Sequence, residues 1–341
     1  FASSILNKKS KHRVGELVQC ILDSGSQVES ESSQMVFLAY ECLTQVDSRF
    51  WETPMVEDFK KKFRRLVNSP IQKGDQQGLL NKIAASQALA GLPGGQVLGR
   101  YWTAPVGEPE WVTIPAGAFW MGEASGENSN IHQVLLPEYQ IARVPVTNAQ
   151  YAIYLNETGY EAPEHWWGGR IPKCKENHPV VNVNWHEALA YCSWMTEKIK
   201  RTVCLPSEAE WEKAARGSND QRDYPWGAWG DLSANTSELG FGDTTPVGLF
   251  PSGSSPFGLL DMTGNVREWT RSLADFGYPY DPGDKNRENL HATDDQARVL
   301  RGGSFYYTHD FSRCADRQRY YPDFRFYNFG FRVAISPLSS V

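Results

Sequence analysis

Apolar residues recur at helical spacing through the first ninety positions. HRVGELVQCILDSG sets Val14, Leu17, Val18, Ile21 and Leu22 on one face and stops near Gly25. SSQMVFLAYECLTQV repeats the pattern with Met35, Phe37, Leu38, Tyr40 and Leu43. MVEDFKKKFRRLVNSP gives Val56, Phe59, Phe63, Leu66 and Val67 ahead of Pro70. LLNKIAASQALAGLPGG gives a fourth helix, closed by Gly91, Pro93 and Gly94. Short connections between such helices predict a small all-α segment over 1–93, the end of a longer upstream region. The basic run KKKFRR at 60–65 reads as the solvated face of its helix.

The pattern changes after residue 93. Trp, Gly and Pro become frequent and short alternating runs replace the long helices, so 94–110 reads as a linker and 111–341 as a second domain. Three helix starts in it carry reciprocal capping pairs: Thr147 with Gln150, Asn184 with Glu187, and Ser207 with Glu210. The middle helix would bury Trp185, Ala188, Leu189, Cys192 and Ile199. Helices sparse among short strands and long Gly/Pro loops predict an α+β fold.

One stretch obeys neither period. Between Gly303 and Gly330 stand Phe305, Tyr306, Tyr307, Phe311, Tyr320, Tyr321, Phe324, Phe326, Tyr327 and Phe329, far above the 13% aromatic content of the chain. A core segment should be periodic and a disordered tail should lack aromatics. Tyr and Phe mixed with Asp, His, Ser and Asn is instead the composition of a recognition surface.

Composition narrows the function classes. The chain has 341 residues, 40% apolar and 22% charged, with a net charge of −6, so nothing points to nucleic acid or an anionic membrane. No apolar run is long enough to cross a bilayer. Six cysteines, Cys20, Cys42, Cys174, Cys192, Cys204 and Cys314, form no CxxC pair and read as free thiols in a reducing compartment. The expected location is the cytoplasm, with surface display left open. His132, His165, His178 and His186 lack metal spacing, and HExxH, GxSxG and P-loop motifs are absent.

Seven motifs in a fixed order carry a family resemblance: WVTIPAGAFWMG (111–122), ARVPVTNAQYAIYL (142–155), HPVVNVNWHEALAYCSWM (178–195), CLPSEAEWEKAARG (204–217), YPWG (224–227), TPVGLFPSGSSPFGLLDMTGNVREWT (245–270) and VLRGGSF…GFRVA (299–334). They resemble the formylglycine-generating-enzyme, or sulfatase-modifying-factor, family. The resemblance implies a C-type-lectin-like fold over roughly 111–335.

Three lines of that family imply different functions. The oxidases need two cysteines after the GGSF element to bind copper; the matching positions here are Tyr307 and Ser312, with Cys314 alone nearby. On that ground no copper is expected and the chain is read as not an enzyme. The iron-dependent sulfoxide synthases carry an HxxxHxE-type motif in an N-terminal helical domain, where this chain has only His12. The third line, the variable proteins of diversity-generating retroelements, is the most similar. Those proteins end in a fixed skeleton, matched here by Arg301, Gly302, Gly303, Ser304, Arg313, Ala315, Arg317, Pro322, Arg325, Gly330, Phe331 and Arg332. The gaps between hold variable ligand-binding positions.

By that resemblance the ligand-binding residues are Tyr306, Tyr307, Thr308, His309, Asp310, Phe311, Ser312, Asp316, Gln318, Tyr320, Tyr321, Phe324, Phe326, Tyr327 and Asn328. The fixed arginines would anchor their loops by forked hydrogen bonds. The expected partner is a protein. Phe305, Phe329 and Phe331 read as core. The alternatives are an oxidase, or a lectin-like spacer to a helical adaptor.

The resemblance also implies a calcium site in DMTGNVREW (261–269), with carboxylates from Asp261 and Glu268 and backbone carbonyls of Gly264 and Val266. Arg267 stands there in place of the family's usual apolar residue. A second calcium element, around Ala234-Asn235, lacks an aligned acid.

Overall fold

The computed structural model describes residues 36–41, 53–69, 75–90, 92, 101–123, 131–230 and 233–338. The helix read over 14–22, with Cys20 and His12, lies outside them, as do Cys42 and Leu43. Two compact units divide the chain, 1–98 and 99–341.

In the first unit residues 36–41 are helical, followed by α1 (Thr53–Asn68) and α2 (Gln76–Ala90). The apolar stripe of α1 is buried as its spacing requires: Val56, Phe59, Phe63 and Val67 pack with Val36, Ala39, Ala85, Ala88 and Leu89. The rings of Phe59 and Phe63, one turn apart, stack with centroids 5.8 Å apart, and the rings of Phe37 and Tyr40 meet them at 5.3–6.1 Å. The opposite face keeps Lys61, Arg64 and Arg65 in solvent. Among the described residues no helix is long and apolar enough to cross a membrane.

The second unit is a mixture of short strands, irregular loop and three helices. The stretch read as linker is partly structured: β1 (Trp102–Thr103) pairs antiparallel with β2 (Glu108–Pro109). Next come β3 (Trp111–Ile114), β4 (Gly117–Met121), β5 (His132–Leu136) and β6 (Tyr139–Ala142). The β4–β5 pair forms a hairpin, while β3 and the C-terminal β11 (Ala334–Ile335) flank β6 in one sheet. A second sheet has the order β10-β7-β8-β9, from β7 (Arg267–Leu273), β8 (Arg298–Arg301), β9 (Arg317–Tyr320) and β10 (Phe329–Gly330). In it β10 runs parallel to β7 and the other pairs are antiparallel.

All three helices of this unit start where the capping pairs predict. In α3 (Asn148–Thr158), α4 (Trp185–Ile199) and α5 (Glu208–Arg216) the cap side chain accepts from the N3 amide and the N3 side chain accepts from the cap amide. Trp185, Ala188 and Cys192 of α4 are buried with Tyr151 and Tyr154 of α3 and with Trp269, Leu300, Phe329 and Phe331. Leu189 and Ile199 are only partly buried at the edge of that core.

Helix α5 differs from an ordinary amphipathic helix in that every one of its residues is buried. Its three glutamates therefore need cationic partners. Glu208 faces Arg317 and Arg301, Glu210 pairs with Arg271, and Glu212 pairs with Arg301 and Arg216. Burial alone would raise the carboxyls of Glu208 and Glu210, but these arginines outweigh it and hold both below the usual range.

Candidate ligand-binding surface

The segment from Arg301 to Arg332 is tied down by its arginines. Arg301 Nη1 donates to Ala315 O and Asp316 O, both at 2.9 Å, while Nη2 donates to Cys314 O at 2.7 Å and to Glu212. Arg317 forks onto Glu208 at 2.8 and 3.1 Å. Arg325 forks onto Glu187 at 3.0 and 2.9 Å. Arg332 forks onto Glu268 at 2.6 and 2.8 Å and also donates to four backbone carbonyls. A planar guanidinium meeting both oxygens of a carboxylate fixes orientation as well as distance. The backbone between these anchors is thus set by scaffold residues.

At Gly303 the chain turns with φ of 68° against the 309–312 turn. A Cβ there would overlap Ser312 Oγ and lie 2.8 Å from Phe311 O, so only glycine fits.

The fifteen residues named from the sequence divide into three groups. Tyr306, Thr308, Asp310, Phe311, Tyr321, Phe324 and Tyr327 are exposed, with Tyr306 at 58% and Phe311, Tyr321 and Tyr327 near half. Tyr307, His309, Asp316, Gln318, Tyr320 and Phe326 are half-buried. Ser312 and Asn328 are buried, which corrects their reading as surface contacts. Asn328 donates to Ser304 Oγ at 3.0 Å, and its carbonyl accepts from the Arg267 amide. The Ser312 carbonyl accepts from Thr263. Both brace the frame. Phe305, Phe329 and Phe331 are buried as expected.

The aromatic rings form two patches. Tyr306 lies edge-on to Tyr307 at 5.3 Å and to Tyr327 at 5.8 Å, and Tyr307 reaches Phe311 at 6.2 Å. In the other patch Phe324 stacks on Phe326 at 5.9 Å and meets Tyr320 and Tyr321. Phe326 and Tyr320 also touch Phe329, so this patch is rooted in the core.

Sequence reasoning missed one neighbour of the surface. Tyr224, Trp226 and Trp229 pack together, and His309 stacks on Trp229 at 4.6 Å. Glu238 accepts from the His309 backbone amide at 2.9 Å and meets its ring Nδ1 at 2.7 Å. The signal was the density of Trp and Tyr in YPWGAW, read only as a family motif.

The calcium reading does not fit Glu268. Its oxygens accept from Arg332 and from Trp211 Nε1 at 2.8 Å, all within a site closed to solvent. A carboxylate so neutralised is not free to ligate a cation. Asp261 accepts from the Gly248 amide at 2.6 Å, and Gly264 pairs with Asn235 beside the buried Val266. Among the described residues no three His, Cys, Asp or Glu side chains are placed to hold a metal. Cys314 is a buried free thiol whose pKa burial pushes up to about 12.

Residues 101–337 match the model of the sulfatase-modifying factor enzyme 1-like domain. A formylglycine-generating enzyme of Thermomonospora curvata is 32% identical over 67% of this chain and 93% of its own. The hercynine oxygenase of Mycolicibacterium smegmatis is 32% identical over 57% of this chain and 54% of its own. A Chlamydia caviae protein named serine/threonine-protein kinase pkn1 is 33% identical over 66% of this chain. This chain spans only 38% of that relative's length. Among solved structures, Treponema denticola variable protein 1 superposes with a TM-score of 0.57 at 23% identity, over 69% of this chain and 98% of its own. PvdO of Pseudomonas aeruginosa gives the same TM-score at 28% identity, over 66% and 94%. The α+β, C-type-lectin-like fold expected from the motifs is borne out. The expectation that the chain is not an enzyme is not: relatives at about 30% identity are named as enzymes, so Tyr307 and Ser312 do not exclude catalysis.

Proposed function

The chain belongs to the sulfatase-modifying factor enzyme 1-like family, and from that premise we propose that its second unit is a ligand-binding module. It recognises a protein through the exposed residues of 306–327. The observation that carries this reading is a pairing of opposites in one segment. Tyr306, Phe311, Tyr321, Phe324 and Tyr327 are exposed, while the backbone that bears them is clamped by arginine–carboxylate forks. Large exposed aromatics on a soluble domain mark interaction sites, and Tyr contributes contact area at low entropic cost. A preorganised frame limits the ordering penalty on binding. The likeness to a structure named as a variable protein supports the further reading that the exposed positions differ between copies of the gene.

The test is a library randomised at Tyr306, Thr308, Asp310, Phe311, Tyr321, Phe324 and Tyr327, selected against one purified globular protein. The reading expects most members to fold and specific binders to emerge. A library that folds but never yields binders contradicts it. In the genome, a near-copy of this coding segment with adenines at those codons, beside a reverse transcriptase, is the expected neighbour.

The enzyme-named relatives favour a second reading, an oxidase acting on a cysteine-containing peptide. Turnover of such a peptide after copper loading is its test.

A further inference from the structure

Arg267 is 2% exposed, on strand β7, yet among the described residues its side chain has neither a hydrogen bond nor an ion pair. Arg216, Arg271, Arg298 and Arg301 also leave Nε without a hydrogen-bond partner, but each of them, like Arg332, donates through its Nη atoms to carbonyls or carboxylates. A buried guanidinium without an anion is costly, because desolvation is uncompensated. It lies over the ring of Tyr307, with the guanidinium carbon 4.1 Å from the ring centroid. Burial lowers its pKa, and Asp316, Tyr307 and Tyr320 work against that shift without pairing with it.

The position of Arg267 relates it to the recognition surface. Strand register aligns Glu268, Arg301 and Arg317, so the residues just before or after them, Arg267, Gly302 and Asp316, also lie side by side. Gly302 adds no side chain there; a Cβ on it would lie 3.0 Å from the Trp211 ring. The groups around the guanidinium, Tyr307, Asp316 and Tyr320, all belong to the ligand-binding set read from the sequence, and all are half-buried. The guanidinium thus forms the floor beneath that set, roofed by Tyr307.

Resting on the ligand-binding reading above, we propose that Arg267 is an acid-specific subsite: it receives an aspartate or glutamate side chain of the protein ligand. Tyr307 swings aside to admit the carboxylate, which then meets the guanidinium in a dry, forked geometry. Charge complementarity selects the occupant, since the guanidinium offers only N–H donors and its surroundings add aromatic faces and a single carboxylate, Asp316. Asp316 is the internal competitor: its carboxylate is near enough to interact with Arg267 but makes no ion pair with it. The subsite would give the surface one constant preference, for an acidic residue, beneath side chains that set the remaining specificity.

The test selects peptides from a displayed random library with the intact chain, with Arg267→Met, and with Asp316→Asn. The wild type is expected to enrich Asp or Glu at one peptide position. Replacing that acid by its amide should weaken binding about tenfold or more, as for a charged hydrogen-bonded pair. Arg267→Met should lose the acidic preference while retaining aromatic-driven binding, and Asp316→Asn should strengthen the preference. If Arg267→Met does not fold, Asp316→Asn decides, because it leaves the guanidinium in place. Selected peptides without an acidic position overturn the inference and leave the ligand-binding reading intact. So does an acidic preference that survives Arg267→Met, or one that Asp316→Asn leaves unchanged. A wild type that selects no peptide overturns both.

Discussion

One carboxylate oxygen of Glu187 accepts from the Asn184 amide at 2.7 Å and from Arg325 Nε at 3.0 Å. The capping box that starts α4 is therefore also the anchor of the loop carrying Tyr321, Phe324 and Tyr327. Glu187→Gln keeps a side-chain acceptor for the cap and loses the charge. Because the Arg325 side chain is 48% exposed, the expected loss is about 0.5–1 kcal/mol. Glu187→Ala loses the reciprocal cap as well, for roughly 1–2 kcal/mol. Urea unfolding checks the order, and amide exchange at 321–328 should quicken in both variants.

Arg332 and Glu268 are fully buried and joined by two hydrogen bonds. Removing either partner alone strands the other. Glu268→Gln or Arg332→Met should each destabilise by about 3–5 kcal/mol. The double variant should lose less than the sum, because it strands no charge. The measurement is a double-mutant cycle in urea. Glu268→Gln that costs nothing would mean the pair does not hold the segment.

The Asp316 carboxyl is pushed up to about 6 by burial, against the opposing pull of Arg267, Arg301 and Arg313, while Glu123 adds to the rise. The sign follows from linkage. In the folded state the group stays protonated to higher pH than in the unfolded chain, so its contribution is complete below about pH 4 and is lost as pH rises through about 6. The buried Glu208 and Glu210 act oppositely, since their carboxyls are held low and lose their contribution in acid. Total stability therefore mixes both trends. The difference between Asp316→Asn and the wild type isolates one of them. It should shift in favour of the variant by roughly 1–3 kcal/mol between pH 4 and pH 6.5. A flat difference across that window contradicts the assignment.

Local chemistry was legible in the sequence; long-range partners were not. Thr147–Gln150, Asn184–Glu187 and Ser207–Glu210 were readable because cap and partner are three residues apart. The stripe Val56, Phe59, Phe63 and Val67 was readable because burial follows the helical period. Glu268 was misread because a carboxylate beside a Gly-Asn turn looks the same whether it meets calcium or a guanidinium. Its partner, Arg332, lies 64 residues further on. The same distance problem hid the arginine partners of Glu208, Glu210 and Glu212, which in an isolated helix would face water. Ser312 and Asn328 were misplaced because small polar residues suit a contact surface and a tight turn equally well. Arg267 looked like a harmless exchange at one position of a motif, and only its burial without a partner gives it weight.

The central claim is that the aromatics of 306–327 are recognition surface rather than core, and one comparison of melting and binding tests it. Tyr306, Tyr321 and Tyr327, each roughly half exposed, are changed together to Asn, and Phe329, 1% exposed, is changed separately to Ala. Exposed substitutions cost about 0.5 kcal/mol each or less, whereas emptying a core phenylalanine costs about 3–5 kcal/mol. The account expects the triple variant to melt within a few degrees of the wild type, as that small sum implies, and to lose binding to peptides selected on the wild type. Phe329→Ala should melt far lower. A triple variant that unfolds like Phe329→Ala, or one that keeps full binding, would contradict the account.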